Sequence, residues 1–363
     1  MRKLAVYGLI VVLMLIASGC ATVTGPGVSP AEIKAATEEL KVKSLGFRIS
    51  QIQKINDIGY RIVSSIPEED IKTEPMPFLG ITYVKINKYL KRLYNLSVDK
   101  GVVVIVVVKN SPAEKAGIQP GDVILSVEKN RIRSVSSLTR ALRKMKIGET
   151  VNFEILRSGS YQDIAIQAEE APIVVPVTVG SMPKRVSFTM VDAQEVNAAA
   201  GRDTIFVSYG LLNFVKSEDE IAAVLAHELA HAVRGHLLKM QGGQILSVIA
   251  AIGLGIAAET ASPGSGEGVM RGVGAIGDVF NASYSRNLER EADYFGTKFV
   301  YYAGYDVDVC ATIHERFAVE IPQSMIKNYL STHPASPERM LRIKKIIKEL
   351  KTGKVTSQGF GQE

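Results

Sequence analysis

Apolar residues recur along the chain at two different periods. Ile52, Ile55, Ile58, Ile62 and Val63 fall on one face at helical spacing, with Gly59 among them. This predicts a closely packed helix ending near Pro67. Upstream, Ser29-Pro30-Ala31-Glu32 has the form of a capping box with proline at the first helical position, opening an earlier helix behind a Gly/Pro/Ser tether over 21–29. An acidic, proline-containing linker follows over 68–77. The period then shortens. Gly101 precedes an unbroken run from Val102 to Val108, which predicts a buried strand. A helix around Ser136 to Met145 and a strand with Val151, Phe153 and Ile155 come next. Further on, Ser217 reads as an N-cap with Glu220 closing a capping box, and Ile221, Val224, Leu225 and Leu229 form the buried stripe of the helix it starts. The closing helix runs from Ser336-Pro337 to near Gly353. Its Arg339, Arg342, Lys344, Lys345, Lys348 and Lys351 read as a solvated face that can also lean on anionic lipid.

Composition narrows the class. A chain of 363 residues is long enough for two or three domains, and 46% apolar with 22% charged residues is ordinary globular usage, which excludes a disordered or collagen-like chain. Two cysteines cannot make a disulfide scaffold. The charge of +6 is mild, and no basic stripe is interleaved with aromatics, so nucleic acid is not an expected partner. At the N-terminus, Arg2 and Lys3 precede an apolar stretch from Leu4 to Ile16 that is too short to span a bilayer. Ala17, Ser18 and Gly19 then precede Cys20. This resembles the lipobox of bacterial lipoproteins, with Ala three places before the cysteine. The resemblance implies a signal peptide over 1–19, acylation of Cys20 and a lipid anchor on the periplasmic side of the bacterial envelope; Ala21 points to the outer membrane. A plain secretory signal or a short buried anchor is the alternative. If Cys20 is lipidated, Cys310 has no intramolecular partner and reads as an inert buried thiol.

Catalytic chemistry enters at His227-Glu228-Leu229-Ala230-His231. At about 100° per residue, positions four apart are separated by only about 40°, so both imidazoles leave one helix face and can share a metal ion. Glu228 flanks that face. Downstream, Glu289 and Asp293 are again four apart in a helical stretch ending near Gly304, while Glu291 lies about 200° from Glu289 and reads as a surface carboxylate. His236 stands about 180° from His227, so it reads as a polar residue bonding elsewhere unless the helix ends early. His314 reads as structural or exposed.

HExxH followed by ExxxD resembles the zinc peptidase family of HtpX and the type I CaaX prenyl proteases, over about 173–350 plus the helix around 50–66. The resemblance implies His227, His231 and Glu289 as ligands of one Zn2+ per chain. It implies Glu228 as general base toward a zinc-activated water and Asp293 as the group orienting a liganding imidazole. Asn197 to Gly201 and Ile205 to Leu212 fit the family's strand before the HExxH helix, which implies Ile205, Phe206 and Val207 as an edge for substrate strand addition. Thr332-His333-Pro334 matches a further family landmark. His333 could be a fourth zinc ligand in a closed resting state, stabilise the oxyanion in the working state, or simply cap the next helix. The multiple membrane spans of those proteases have no counterpart here, so the soluble periplasmic branch of the family is the nearer match.

Residues 76–168 resemble a PDZ domain of the HtrA type. Val102 to Val108, Ser111-Pro112-Ala113, Ala116-Gly117, Pro120-Gly121-Asp122, a helix and a last strand occur in that domain's order. Phe78, Leu79, Gly80 and Ile81 stand at its carboxylate-binding loop. Leu138, Ala141 and Leu142 would face its groove or belong to its core. The ligand would be a foreign C-terminus or a segment of this chain. Together these readings give an α+β chain. A signal peptide (1–19) precedes a tether with N-terminal helices (20–75) and a β-rich PDZ domain (76–170). A mainly helical gluzincin-type metallopeptidase domain with a small edge sheet (171–352) and a tail (353–363) follow.

The expected function is cleavage of misfolded or unassembled envelope proteins. The alternative is an envelope chaperone or assembly factor whose protease is latent. A closed structural zinc site is a third possibility. The apolar run 244–258 and the glycine-dotted stretch after it read as a buried hairpin, or else as a lid or membrane-docking plate.

Overall fold

A computed structural model describes residues 27–67, 70, 76–171, 174–175, 184–201, 204–239, 284–321, 333 and 336–354. The leader with Cys20, most of the 68–77 linker and the apolar run 244–258 lie outside the described residues. No helix among the described residues is long and apolar enough to cross a membrane. The chain divides into a unit ending at Lys41 and a unit from Val42 onward. Helix α1 (Pro30–Ser65) starts in the first, where Ser29 and Glu32 make the expected reciprocal capping bonds. The two helices read from the sequence are this one element.

Within the second unit, α1 buries Ile55, Ile58, Ile62 and Val63 in the same core as the HExxH helix. Gly59 is required there, because a Cβ would stand 2.4 Å from the Phe188 ring. The polar positions of α1 bind in two directions. Asn56 donates to the Phe188 carbonyl at 2.9 Å, and Arg61 donates to the carbonyls of Ala303 and Gly304 at 2.8 and 3.1 Å. Gln53 and Asp57 turn instead to the β-rich part that follows.

That part begins with β1 (Pro77–Phe78), β2 (Ile81–Lys85), α2 (Lys88–Leu93) and β3 (Val102–Val107). It continues with α3 (Pro112–Lys115), β4 (Val123–Val127), β5 (Asn130–Arg131), α4 (Val135–Leu142), β6 (Thr150–Arg157), β7 (Ser160–Gln167) and β8 (Glu169–Glu170). The main sheet has the order β2-β3-β4-β6-β7, with β2 at one edge and β5 against β4, while β1 pairs with β8. The unbroken apolar run of β3 is explained by burial on both faces. Val102 and Val104 enter a core with Leu138 and Phe153, and Val103 and Ile105 enter another with Leu90 and Ile49 of α1. The β2–β3 register passes from Val106 to Val104 and skips Ile105, a bulge that puts Ile105 and Val106 on the same side. Near the end of β3, beyond its pairing with β4, the Gln53 amide bonds the Val107 N–H and C=O at 3.0 and 2.7 Å, as a strand residue would. Asp57 accepts from the Lys109 N–H at 2.7 Å.

The remaining strands among the described residues are β9 (Val174–Val175), β10 (Lys184–Arg185), β11 (Ser187–Val191), β12 (Ala198–Ala200) and β13 (Thr204–Ser208). The helices after them are α5 (Tyr209–Phe214), α6 (Glu218–Val233), α7 (His236–Lys239), α8 (Arg286–Tyr302), α9 (Val309–Glu320) and α10 (Pro337–Lys351). β13 lies centrally between parallel β11 and antiparallel β12. α6 is buried from Glu220 to Val233, as a central helix must be to be apolar nearly all round. α8 approaches it closely at Gly296, where a Cβ would lie 2.9 Å from His227 Cα. That neighbour is backbone and cannot yield. Gly296→Ala is therefore expected to destabilise the chain by about 1–3 kcal/mol, read as a lowered urea midpoint.

Candidate active site

Ser217 caps α6 by accepting from the Glu220 N–H at 3.2 Å. The return bond of the expected box lands one residue earlier: Glu220 accepts from the Lys216 N–H at 2.7 Å and pairs with Arg316. From α6, His227 and His231 bring their Nε2 atoms within 3.2 Å of each other. α8, capped by Ser285, carries Glu289 to the same point. Its Oε1 lies 3.2 Å from His231 Nε2 and its Oε2 lies 3.5 Å from His227 Nε2. His333 completes the group, with Nδ1 2.9 Å from Glu289 Oε1 and 3.3 Å from His227 Nε2.

All four residues are buried, and their donor atoms lie within 4.8 Å of one another. Donors about 2.0–2.2 Å from a tetrahedral zinc stand roughly 3.3–3.6 Å apart. The spacings just given have that size, so the residues fit the ion. Glu228 supports the same conclusion. Its side chain is fully buried, neither carboxylate oxygen has a hydrogen-bond partner among the described residues, and Oε1 is 3.5 Å from His333 Nε2. Burying a carboxylate without hydrogen bonds is costly, and a cation beside it would offset that cost.

The electrostatics hold the donors in place. Burial alone would raise the Glu289 pKa, but the charge of His333 and hydrogen bonds from the three histidines hold it well below the ordinary carboxylate value. Burial opposes charge on His227, yet Asp293 and Glu289 outweigh it and lift the pKa to about 9. Burial pushes His231 well down. Asp293 is also buried, but Arg339 and His227 keep its carboxyl well below the usual range. Its Oδ1 lies 3.2 Å from His227 Nδ1. A proton on Nδ1 would face this carboxylate and leave the Nε2 lone pair toward the other donors. The Tyr284 ring stacks on His231 with centroids 3.9 Å apart and an interplanar angle of 24°.

The structure departs from several expectations. Arg339 is not on a solvated face: it is 7% exposed and grips Asp293 from Nε and Nη2 at 2.9 and 2.7 Å. Its position was legible, because it lies four residues before Ile343 on the stripe that continues through Ile346, Ile347 and Leu350. Glu291 is not a free surface carboxylate but pairs with Arg234 at 2.6 Å and stands 3.2 Å from His236 Nε2. His314 is buried, with its ring 6.2 Å from that of His227. Ile205, Phe206 and Val207 are not an edge, since β13 is paired on both sides; β12 is an outer strand of that sheet and lies near α6. In the PDZ part, Leu138 is fully buried in the core and cannot line a groove, while Ala141 and Leu142 pack at its margin. Thr139 of α4 meets β2 through a 3.0 Å bond to the Tyr83 hydroxyl. Phe78 and Leu79 are buried, and Phe78 stacks on Tyr60 of α1 at 5.2 Å. Gly80 has φ +82°, and a Cβ there would sit 2.2 Å from Ser111 Cβ. Cys310 is a buried free thiol whose pKa burial pushes up.

The fold and this donor set define a zinc metallopeptidase domain preceded by a PDZ domain. Residues 170–347 match the model of peptidase family M48, and residues 77–168 match that of the PDZ domain. The family match thus falls on the part of the chain that carries the site. The chain is similar to the mitochondrial metalloendopeptidase OMA1 of Schizosaccharomyces pombe, 32% identical over 158 residues, covering 43% of this chain and 44% of that protein. It is similar to a putative beta-barrel assembly-enhancing protease of Vibrio cholerae, 30% identical over 163 residues, covering 42% and 33%. A probable periplasmic serine endoprotease DegP-like of Hahella chejuensis is 28% identical over 141 residues, covering 39% and 30%. The chain thus spans less than half the length of each of these relatives.

Proposed function

We propose that the chain is a zinc-dependent endopeptidase of the bacterial cell envelope, held to a membrane through lipidated Cys20, that cleaves misfolded or unassembled proteins. The observation that carries the reading is the buried His227–His231–Glu289 donor set with the unpartnered carboxylate of Glu228 beside it. Zinc, when bound there, supplies a Lewis acid that polarises a carbonyl and acidifies water. Glu228 takes a proton from the attacking water and returns it to the leaving amine. Asp293, itself held by Arg339, orients His227. β12 offers the substrate an edge for strand addition, and the Phe78–Ile81 loop with the β2 edge receives a C-terminus for selection or delivery. The similarity to an assembly-enhancing protease and to DegP-like proteases supports the envelope setting. The chain lacking residues 1–20 is expected to cleave casein, to stop on zinc chelation and to recover with about one equivalent of zinc. Cleavage that survives complete removal of metal would refute this reading.

One observation favours the alternative of a chaperone or assembly factor with a latent protease. His333 stands where a fourth ligand would close the tetrahedron, so a resting enzyme would open only when that side chain leaves. His333→Ala is expected to raise casein hydrolysis several-fold if it is such a latch. A fall in rate would assign His333 to oxyanion stabilisation instead.

A further inference from the structure

α6 ends at Val233, with Arg234 as its C-cap, and the chain reverses at Gly235 with φ +64° before α7 starts at His236. This early stop changes where His236 lies. On a continuing helix it would face away from the donors; after the reversal its ring is fully buried against a zinc-site histidine. His236 Nδ1 lies 2.9 Å from His231 Nδ1, and its other nitrogen, Nε2, lies 3.2 Å from Glu291 Oε2, a charge contact without hydrogen-bond alignment. Glu291 is anchored in turn by Arg234 at 2.6 Å. His227 has Asp293 directly on its Nδ1; at His231 Nδ1 the described residues place an imidazole with a carboxylate behind it.

We infer that Glu291 and His236 are positioning residues that set the tautomer of His231. This rests on His231 being a zinc ligand. The negative charge of Glu291, 3.2 Å away, favours the His236 proton on Nε2 over Nδ1. His236 Nδ1 is then an acceptor and takes a hydrogen bond from His231 Nδ1–H. His231 Nε2, the nitrogen nearest Glu289, is left with a free lone pair. No proton need leave the chain of three groups; the arrangement selects one of several tautomer sets. Without the carboxylate, His236 can carry its proton on Nδ1. It would then meet His231 donor to donor, or force the His231 proton onto the nitrogen the metal requires.

The test uses the purified full chain in detergent and zinc alone, with affinity measured by competition against a fluorescent chelator. Glu291→Met and His236→Phe are each expected to weaken zinc binding about 10- to 100-fold, the usual effect of losing a partner behind a liganding histidine. Because both act through one path, the double variant is expected to be no weaker than His236→Phe alone. Glu291→Gln, which keeps an acceptor oxygen, is expected to retain most of the affinity and guards against a variant that simply fails to fold. In the zinc-loaded parent, ¹⁵N-histidine NMR is expected to place the proton on Nδ1 of His231 and Nε2 of His236. Unchanged affinity in folded variants, additive losses, or a proton on His236 Nδ1 would overturn the relay while leaving the zinc site standing. A full chain that takes up no zinc would overturn both.

Discussion

Glu228→Gln is expected to cut peptide hydrolysis by at least about 10²-fold, the low end for loss of a general base, while zinc still binds at the stoichiometry of the parent. The substitution keeps the shape of the side chain and removes its ability to accept and return a proton. It also replaces a fully buried carboxylate that has no hydrogen-bond partner on either oxygen among the described residues. A neutral amide costs less to bury than a charge without hydrogen bonds, so the metal-free variant is expected to unfold at higher urea than the parent. A rate loss with unchanged or greater stability would separate a catalytic role from a packing role. A variant that cleaves at the parent rate would remove Glu228 from the reaction.

The second large effect is on stability. Arg339→Met is expected to cost about 3–5 kcal/mol in urea unfolding, because it leaves the buried Asp293 carboxylate without its guanidinium and with only the His227 imidazole, among the contacts described above, beside it. Arg339 also donates to the His333 carbonyl at 3.2 Å and lies against the His227 ring, so His227 and His333 lose a shared support. Removing both charges with Arg339→Met and Asp293→Leu is expected to restore part of the loss, since no lone charge is then buried. Equal losses in the single and double variants would show that the pair has no special coupling.

The metal site was legible in the sequence to the extent that its signals are periodic. His227 with His231, and Glu289 with Asp293, are each four residues apart on a helix, and that spacing is a property of the chain alone. The groups behind the ligands were not legible in the same way. His236 comes to His231 because the backbone reverses at Gly235, and angular arithmetic along an uninterrupted helix cannot represent that turn. Glu291 was assigned to the surface from its angle relative to Glu289, but a helix packed on several sides has no single buried face. Arg339 was grouped with exposed lysines by charge, when its place on the stripe of Ile343 and Ile347 pointed inward. The strand error has a similar cause. An apolar run such as Ile205 to Val207 shows that a strand is buried, and a central strand satisfies that better than an edge. Likewise the valine run of β3 announced a buried strand, but the bulge that skips Ile105 depends on the partner's register.

The most direct test of the account is anomalous diffraction at the zinc edge from crystals of the zinc-loaded chain. The account predicts a single peak about 2.0–2.2 Å from His227 Nε2, His231 Nε2 and a carboxylate oxygen of Glu289, with the fourth position taken by His333 or by solvent. A peak without Glu289 among its ligands, or no peak between α6 and α8, would contradict it.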